Sequence, residues 1–176
     1  MSNPGIYIWD PLVRSCHWLL ASVFTLNYFV LEPGDKPHQW LGYFAAAIVL
    51  LRLVHGFTRQ GYSSFSSIDL SAHAFKSHLL HLKQRKIPTQ SGHNPFGWLM
   101  VFALLALFIC QAISGYLLQE TDYFFGSDLM QSLHALGADL LFICVCLHLA
   151  AVMLVTVLGR ISLVMPMISG YRRRTK

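Results

Sequence analysis

The sequence predicts an all-α fold: a four-helix transmembrane bundle with the N-terminus and C-terminus cytoplasmic, formed by residues 1–176 as one integral membrane domain. Three observations carry that prediction. First, 55% of the 176 residues are apolar and only 12% charged, with a mean hydropathy of +0.50. Soluble domains carry about a quarter charged residues, so this chain lacks the polar side chains to coat a water-facing surface. A disordered chain, a nucleic-acid-binding domain and most cytosolic enzymes are excluded on that ground. Second, four apolar runs, at 12–31, 37–57, 96–118 and 129–158, each reach the roughly 20 residues needed to cross the hydrocarbon core. None alternates apolar with polar residues as a barrel strand must. Third, the basic residues are segregated along the chain.

Each helix has a start signal. Asp10-Pro11, Lys36-Pro37 and Asn94-Pro95 place proline where a first turn tolerates a missing N–H. Asp10 and Asn94 are suited to cap the free donors there, and Ser127-Asp128 opens the fourth helix in the same way. Residues 59–95 form a long polar connection, within which 70–83 is weakly amphipathic and suited to lie along a membrane surface. Four crossings put the N-terminus, this connection and the C-terminal tail on one side. Twelve of the 13 Lys and Arg residues fall there, counting Arg14 and Arg52 near helix ends. The other side has Lys36 against Glu32, Asp35, Glu120, Asp122 and Asp128. The positive-inside rule makes the basic side cytoplasmic. The tail Arg172-Arg173-Arg174-Thr175-Lys176 suits an anionic lipid surface. The first helix has no basic segment ahead of it and is too long for a cleaved signal peptide. Cys16, Cys110, Cys144 and Cys146 all lie inside helices and read as small apolar side chains.

Nine histidines in so apolar a chain require an explanation. His73, His78, His81 and His93 fall in the polar connection and read as solvated. His17, His38, His55, His134 and His148 fall in the spans, where ionisable groups are costly and mark function. His134 and His148 are 14 residues apart on one helix, about 21 Å in depth and within about 40° in direction. His38 matches the upper level and His17 the lower. A single Zn²⁺ would need three or four ligands at one level. Two cross-helix pairs at two depths are instead what two bis-histidine b-type haems require. The candidate iron ligands are therefore His17 with His148 and His38 with His134. Gly42 and Gly137, at i+4 from His38 and i+3 from His134, leave room for a macrocycle. Arg52 lies 14 residues after His38, at the inner level, where a haem propionate would pair it. Arg14, one turn before His17, is a second candidate donor. His55 is assigned to propionate or quinone contact. Asp139 is the single acid within a span, with Gln111 or Asn27 as expected partners.

The stretch from Asp10 to His17-Trp18, the segment His38-Gln-Trp-Leu-Gly-Tyr43, Arg52-Leu-Val-His-Gly-Phe57, the Gly92-His-Asn-Pro95 entry and Leu133-His134 followed by His148 together resemble the bacterial cytochrome b561 family. They are most similar to its branch with the b-type cytochrome subunits of nickel–iron hydrogenases. The resemblance implies a four-helix bundle with two b haems, His17 and His148 holding the cytoplasmic-side one and His38 and His134 the outer one. It also implies electron transfer across the inner membrane, in a respiratory chain, from or to the quinone pool. The acidic outer loops add a partner, since they would attract a basic periplasmic redox protein such as a c-type cytochrome. Two further functions fit the scaffold: superoxide:quinone oxidation, which the negative outer loops disfavour because they repel an anion, and service as the membrane-anchor cytochrome of a hydrogenase.

Overall fold

The structure, a computed structural model, describes residues 5–85, 87–88 and 92–172. Arg173, Arg174 and Lys176 of the basic tail lie outside the described residues. A two-residue strand β1 (Ile6–Tyr7) precedes the helices α1 (Pro11–Phe29) and α2 (Lys36–Thr58). A short 3₁₀ turn at Phe65–Ser67 leads to α3 (Ala72–Lys83). Then come α4 (Pro95–Glu120), α5 (Asp128–Gly159), the short α6 (Val164–Ser169) and strand β2 (Tyr171–Arg172).

The helix starts follow the local chemistry. Asp10 Oδ1 accepts from the Val13 amide at 3.0 Å, Asn94 Oδ1 from Gly97 at 2.7 Å, and Ser127 Oγ from Met130 at 3.4 Å. Proline occupies the first turn of α1, α2 and α4, so orphan donors are capped or absent. Asp35 sits at the cap position of α2 without a side-chain bond. Arg160, in the left-handed region with φ 49°, ends α5.

Three helices, α2, α4 and α5, are long and apolar enough to cross a membrane. α1 has 19 residues and falls short on apolarity, because Arg14, His17 and Asn27 interrupt its run. The amphipathic segment forms α3, capped by Ser71 Oγ accepting from Ala74 at 3.1 Å. It does not lie free. Phe75 meets Phe96 edge-on with ring centres 4.9 Å apart, and His78 is buried beside the same ring. The expectation that His78 is solvated is thus corrected: α3 docks on the ends of α4 and α5, and an imidazole on its inner face is covered.

β1 and β2 pair antiparallel, Ile6 opposite Arg172 and Tyr7 opposite Tyr171, so a segment before the helices meets one after them. Above this ribbon sits a small core of Ile8, Trp9 and Val13, with Ile6 and Met167 packed against it. This basic end also holds Arg52, which is 6% exposed. The acidic turns, with Glu32 and Asp35 between α1 and α2 and Glu120, Asp122 and Asp128 between α4 and α5, form the opposite end.

In the bundle α1 packs on α2, α2 on α4 and α4 on α5. The ring closes from α5 back to α1 and α2 chiefly through long side chains. Tyr28 stacks on Phe142 at 5.0 Å and 6°, and its hydroxyl donates to Asp139 at 3.0 Å. Asp139 therefore takes Tyr28 as its partner. Asn27 donates instead to the His38 carbonyl and Gln111 to the His134 carbonyl. α5 buries only Leu141 and Gly159 of its 32 residues, so protein side chains leave most of its surface uncovered.

Candidate functional site

The open seam between α5 and α1/α2 is bridged by two histidine pairs. At the basic end, the His17 and His148 rings have centres 6.2 Å apart and planes at 57°. At the acidic end, His38 and His134 stand 6.2 Å apart at 65°. The helical period explains why α5 can serve both levels: 14 residues make almost four turns. His17 of α1 and His38 of α2 then meet it from the opposite wall.

The spacing can be compared with a metal held between two imidazoles. Metal–nitrogen bonds of about 2 Å, each extended by about 1.1 Å from nitrogen to ring centre, put such rings about 6.3 Å apart. Both pairs stand at that separation. Among the described residues no three His, Cys, Asp or Glu side chains converge, so each level offers two ligands. His134 Nδ1 lies 2.8 Å from Ser114 Oγ, which leaves Nε2 as the free ring nitrogen. His38 Nδ1 is buried without a partner.

Room and counter-charge differ between levels. A Cβ placed on Gly42 would meet nothing within 4 Å, so the flank of α2 one turn below His38 is open. The corresponding space at Gly137 is filled by the Gln111 side-chain amide. Gly137 therefore admits Gln111, and the open space at this level lies on the α2 side. At the basic end, Arg52 Nη2 donates to the Ser63 carbonyl at 2.9 Å, and its guanidinium lies 5.1 Å from the Phe65 ring centre. Its Nη1 is buried with no hydrogen-bond partner. A buried guanidinium with an unused donor is the group an anionic propionate would complete. Arg14 turns away to the Ile168 carbonyl in the last turn of α6, at 2.5 Å, with its Nε unpartnered.

His55 Nε2 lies 3.5 Å from Asp10 Oδ1, and Ser63 Oγ donates to Asp10 Oδ2 at 3.0 Å. Burial of the Asp10 carboxyl would raise its pKa, but the Val13 amide, the Ser63 hydroxyl and His55 together hold it below the usual value. His55 is thereby tied to the α1 cap.

His93 corrects the expectation of a solvated loop residue. Its ring sits 4.6 Å from Trp9 and 5.0 Å from Trp98. Burial, and then the nearby Arg52, His148, His17 and Arg172, push its pKa down to about 3. Sequence periodicity misses this, since the aromatic clamp joins residues far apart in the chain. A cavity of about 210 Å³ lies beside it, lined by His78, His81, His93 and Asn94 with apolar Ile87 and Val155.

Three comparisons bear on these residues. A family model described as prokaryotic cytochrome b561 matches residues 8–170. The chain is also similar to a protein of Rhodobacter capsulatus named Probable Ni/Fe-hydrogenase B-type cytochrome subunit. They are 26% identical over a 213-position alignment that covers 96% of this chain and 81% of the relative. No solved structure matches.

Proposed function

The chain belongs to the prokaryotic cytochrome b561 family, and from that premise we propose that it is a dihaem b-type cytochrome. In this reading it carries electrons across the bacterial inner membrane between the quinone pool and a periplasmic redox partner. The observation that carries the reading is the pair of imidazole couples, each with ring centres 6.2 Å apart, at opposite ends of one seam. When bound there, haem supplies reversible one-electron transfer at low-spin iron.

The protein's own residues do the rest. His17 and His148 hold the cytoplasmic-side group, and His38 and His134 the outer one. Arg52 neutralises a propionate at the inner level through its unused Nη1. Gly42 leaves the outer macrocycle its room. α1 completes a four-span bundle with α2, α4 and α5. His17 faces the seam, Asn27 bonds the His38 carbonyl on α2 and Arg14 bonds the Ile168 carbonyl, so a helix too polar to cross alone crosses as part of the bundle. The cavity beside His93 offers imidazole and amide groups on an apolar wall, the chemistry that a quinone ring requires. The acidic turns form the face for a basic c-type cytochrome.

Single substitutions test the ligand assignment. His134→Ala is expected to lose the outer haem and keep the inner, and His148→Ala the reverse. Two haems retained in either variant would refute it.

A second reading is favoured by the Rhodobacter relative's name. In it the chain is the membrane cytochrome subunit of a hydrogenase, and the acidic end docks that partner. Affinity purification from native membranes separates the two readings, by whether an iron–sulfur hydrogenase subunit comes down in stoichiometric amount.

A further inference from the structure

α4 contributes no histidine to either pair, yet three of its residues converge on one of them. Gln111, Ser114 and Gly115 stand at i, i+3 and i+4, one face of the helix. Gln111 Nε2 donates to the His134 carbonyl at 2.9 Å. Ser114 Oγ lies 2.8 Å from His134 Nδ1. Gly115 brings the ring close: a Cβ there would stand 3.3 Å from His134 Cε1. We infer that Ser114 is a positioning residue that fixes the tautomer and ring angle of His134 and thereby sets the reduction potential of the outer haem. The inference rests on His134 being an iron ligand, as proposed above.

The direction of the hydrogen bond follows from counting protons. A serine hydroxyl has one hydrogen and two lone pairs. Ser114 Oγ lies 2.8 Å from the Cys110 carbonyl, one turn back on α4, and that carbonyl can only accept. The hydroxyl hydrogen therefore goes to Cys110, and a lone pair faces His134. Nδ1 must then carry the ring proton and donate it to Ser114. A neutral imidazole protonated at Nδ1 has its lone pair on Nε2, the form that binds a metal. The opposite arrangement would protonate Nε2 and block it.

Donation from Nδ1–H also pushes electron density onto the ring and raises its basicity as a ligand. That favours ferric over ferrous iron and lowers the potential. The facing ligand, His38, has no such hydroxyl on its Nδ1, so the clamp from α4 acts on His134. α4, the helix without a ligand, is the support for the outer site.

The test uses the full-length, haem-loaded protein in detergent or nanodiscs. Ser114→Ala and Ser114→Thr are compared with wild type by haem-to-protein ratio, spectroelectrochemical titration and low-spin ferric electron paramagnetic resonance. The component absent from His134→Ala identifies the outer haem. Ser114→Ala is expected to raise the potential of that component and shift its resonance signal, with the inner component unmoved, and Ser114→Thr is expected to restore both. Unchanged outer potential and signal in Ser114→Ala would overturn the inference, as would equal shifts in both components. Should Ser114→Ala lose the outer haem, its return in Ser114→Thr supports the role and its continued absence overturns it. His134→Ala that still holds two haems would instead sink the ligand reading itself.

Discussion

Gly42→Ala separates an empty seam from one built for a macrocycle. Gly42 lies inside α2, one turn after His38, and an added Cβ meets nothing within 4 Å. In the haem-free protein the substitution is therefore all gain: alanine replaces glycine in a helix interior, worth about 1 kcal/mol. If a haem is seated between His38 and His134, the same methyl group enters the space beside the ring. Overpacking of that kind costs about 1–3 kcal/mol, or about 5- to 150-fold in retention. The assay has two arms. Thermal unfolding of the haem-free protein in detergent should show the variant more stable than wild type. Haem loss to an excess of a haem-free acceptor protein should be faster for the outer component alone. A variant that gains stability and keeps both haems as wild type does would refute the placement of a macrocycle at that flank.

Gly56→Ala should do the opposite to stability. Its Cβ would fall 2.6 Å from Phe65 Cε2 and Cζ and 2.8 Å from Arg52 Nη1. Neither the ring nor the buried guanidinium can withdraw freely, so a net loss of about 1–3 kcal/mol is expected, and a stabilised variant in thermal unfolding would contradict the packing. His93 makes a pH prediction for the haem-free protein. Its folded pKa of about 3 lies below the ordinary histidine value, so between the two the unfolded chain binds a proton that the folded one refuses. Stability should fall as the pH drops through that window, and His93→Gln should flatten the fall; identical acid limbs would refute the burial argument. The acidic end, with five acids and one lysine, predicts that electron exchange with a basic c-type cytochrome slows steeply as ionic strength rises. Stopped-flow rates independent of salt would remove that partner class.

Much of this molecule is legible in its sequence because the informative signals are local. Prolines and caps at Asp10, Asn94 and Ser127 mark helix starts, and the 14-residue interval from His134 to His148 follows from helix geometry alone. What was not legible depends on contacts between distant residues. The pairing of Ile6–Tyr7 with Tyr171–Arg172 joins two-residue strands too short to carry a period-two pattern. The burial of His78 and the partial cover of His93 come from Phe96, Trp9 and Trp98. A Cβ at Gly137 would meet the Gln111 side-chain amide, a contact between helices that the sequence does not reveal. Ser114 does not stand out in the sequence, because a serine in an apolar helix commonly bonds its own backbone. Its one sequence signal is that Gln111 and Ser114 share one face of a helix otherwise almost wholly apolar.

In the proposed reading, two imidazole couples each hold one haem. Purified protein, assayed for haem per polypeptide and by reduced-minus-oxidised spectroscopy, should give two haems with low-spin bis-imidazole bands. A colourless protein, or one haem per chain with the second histidine pair still intact, would contradict it.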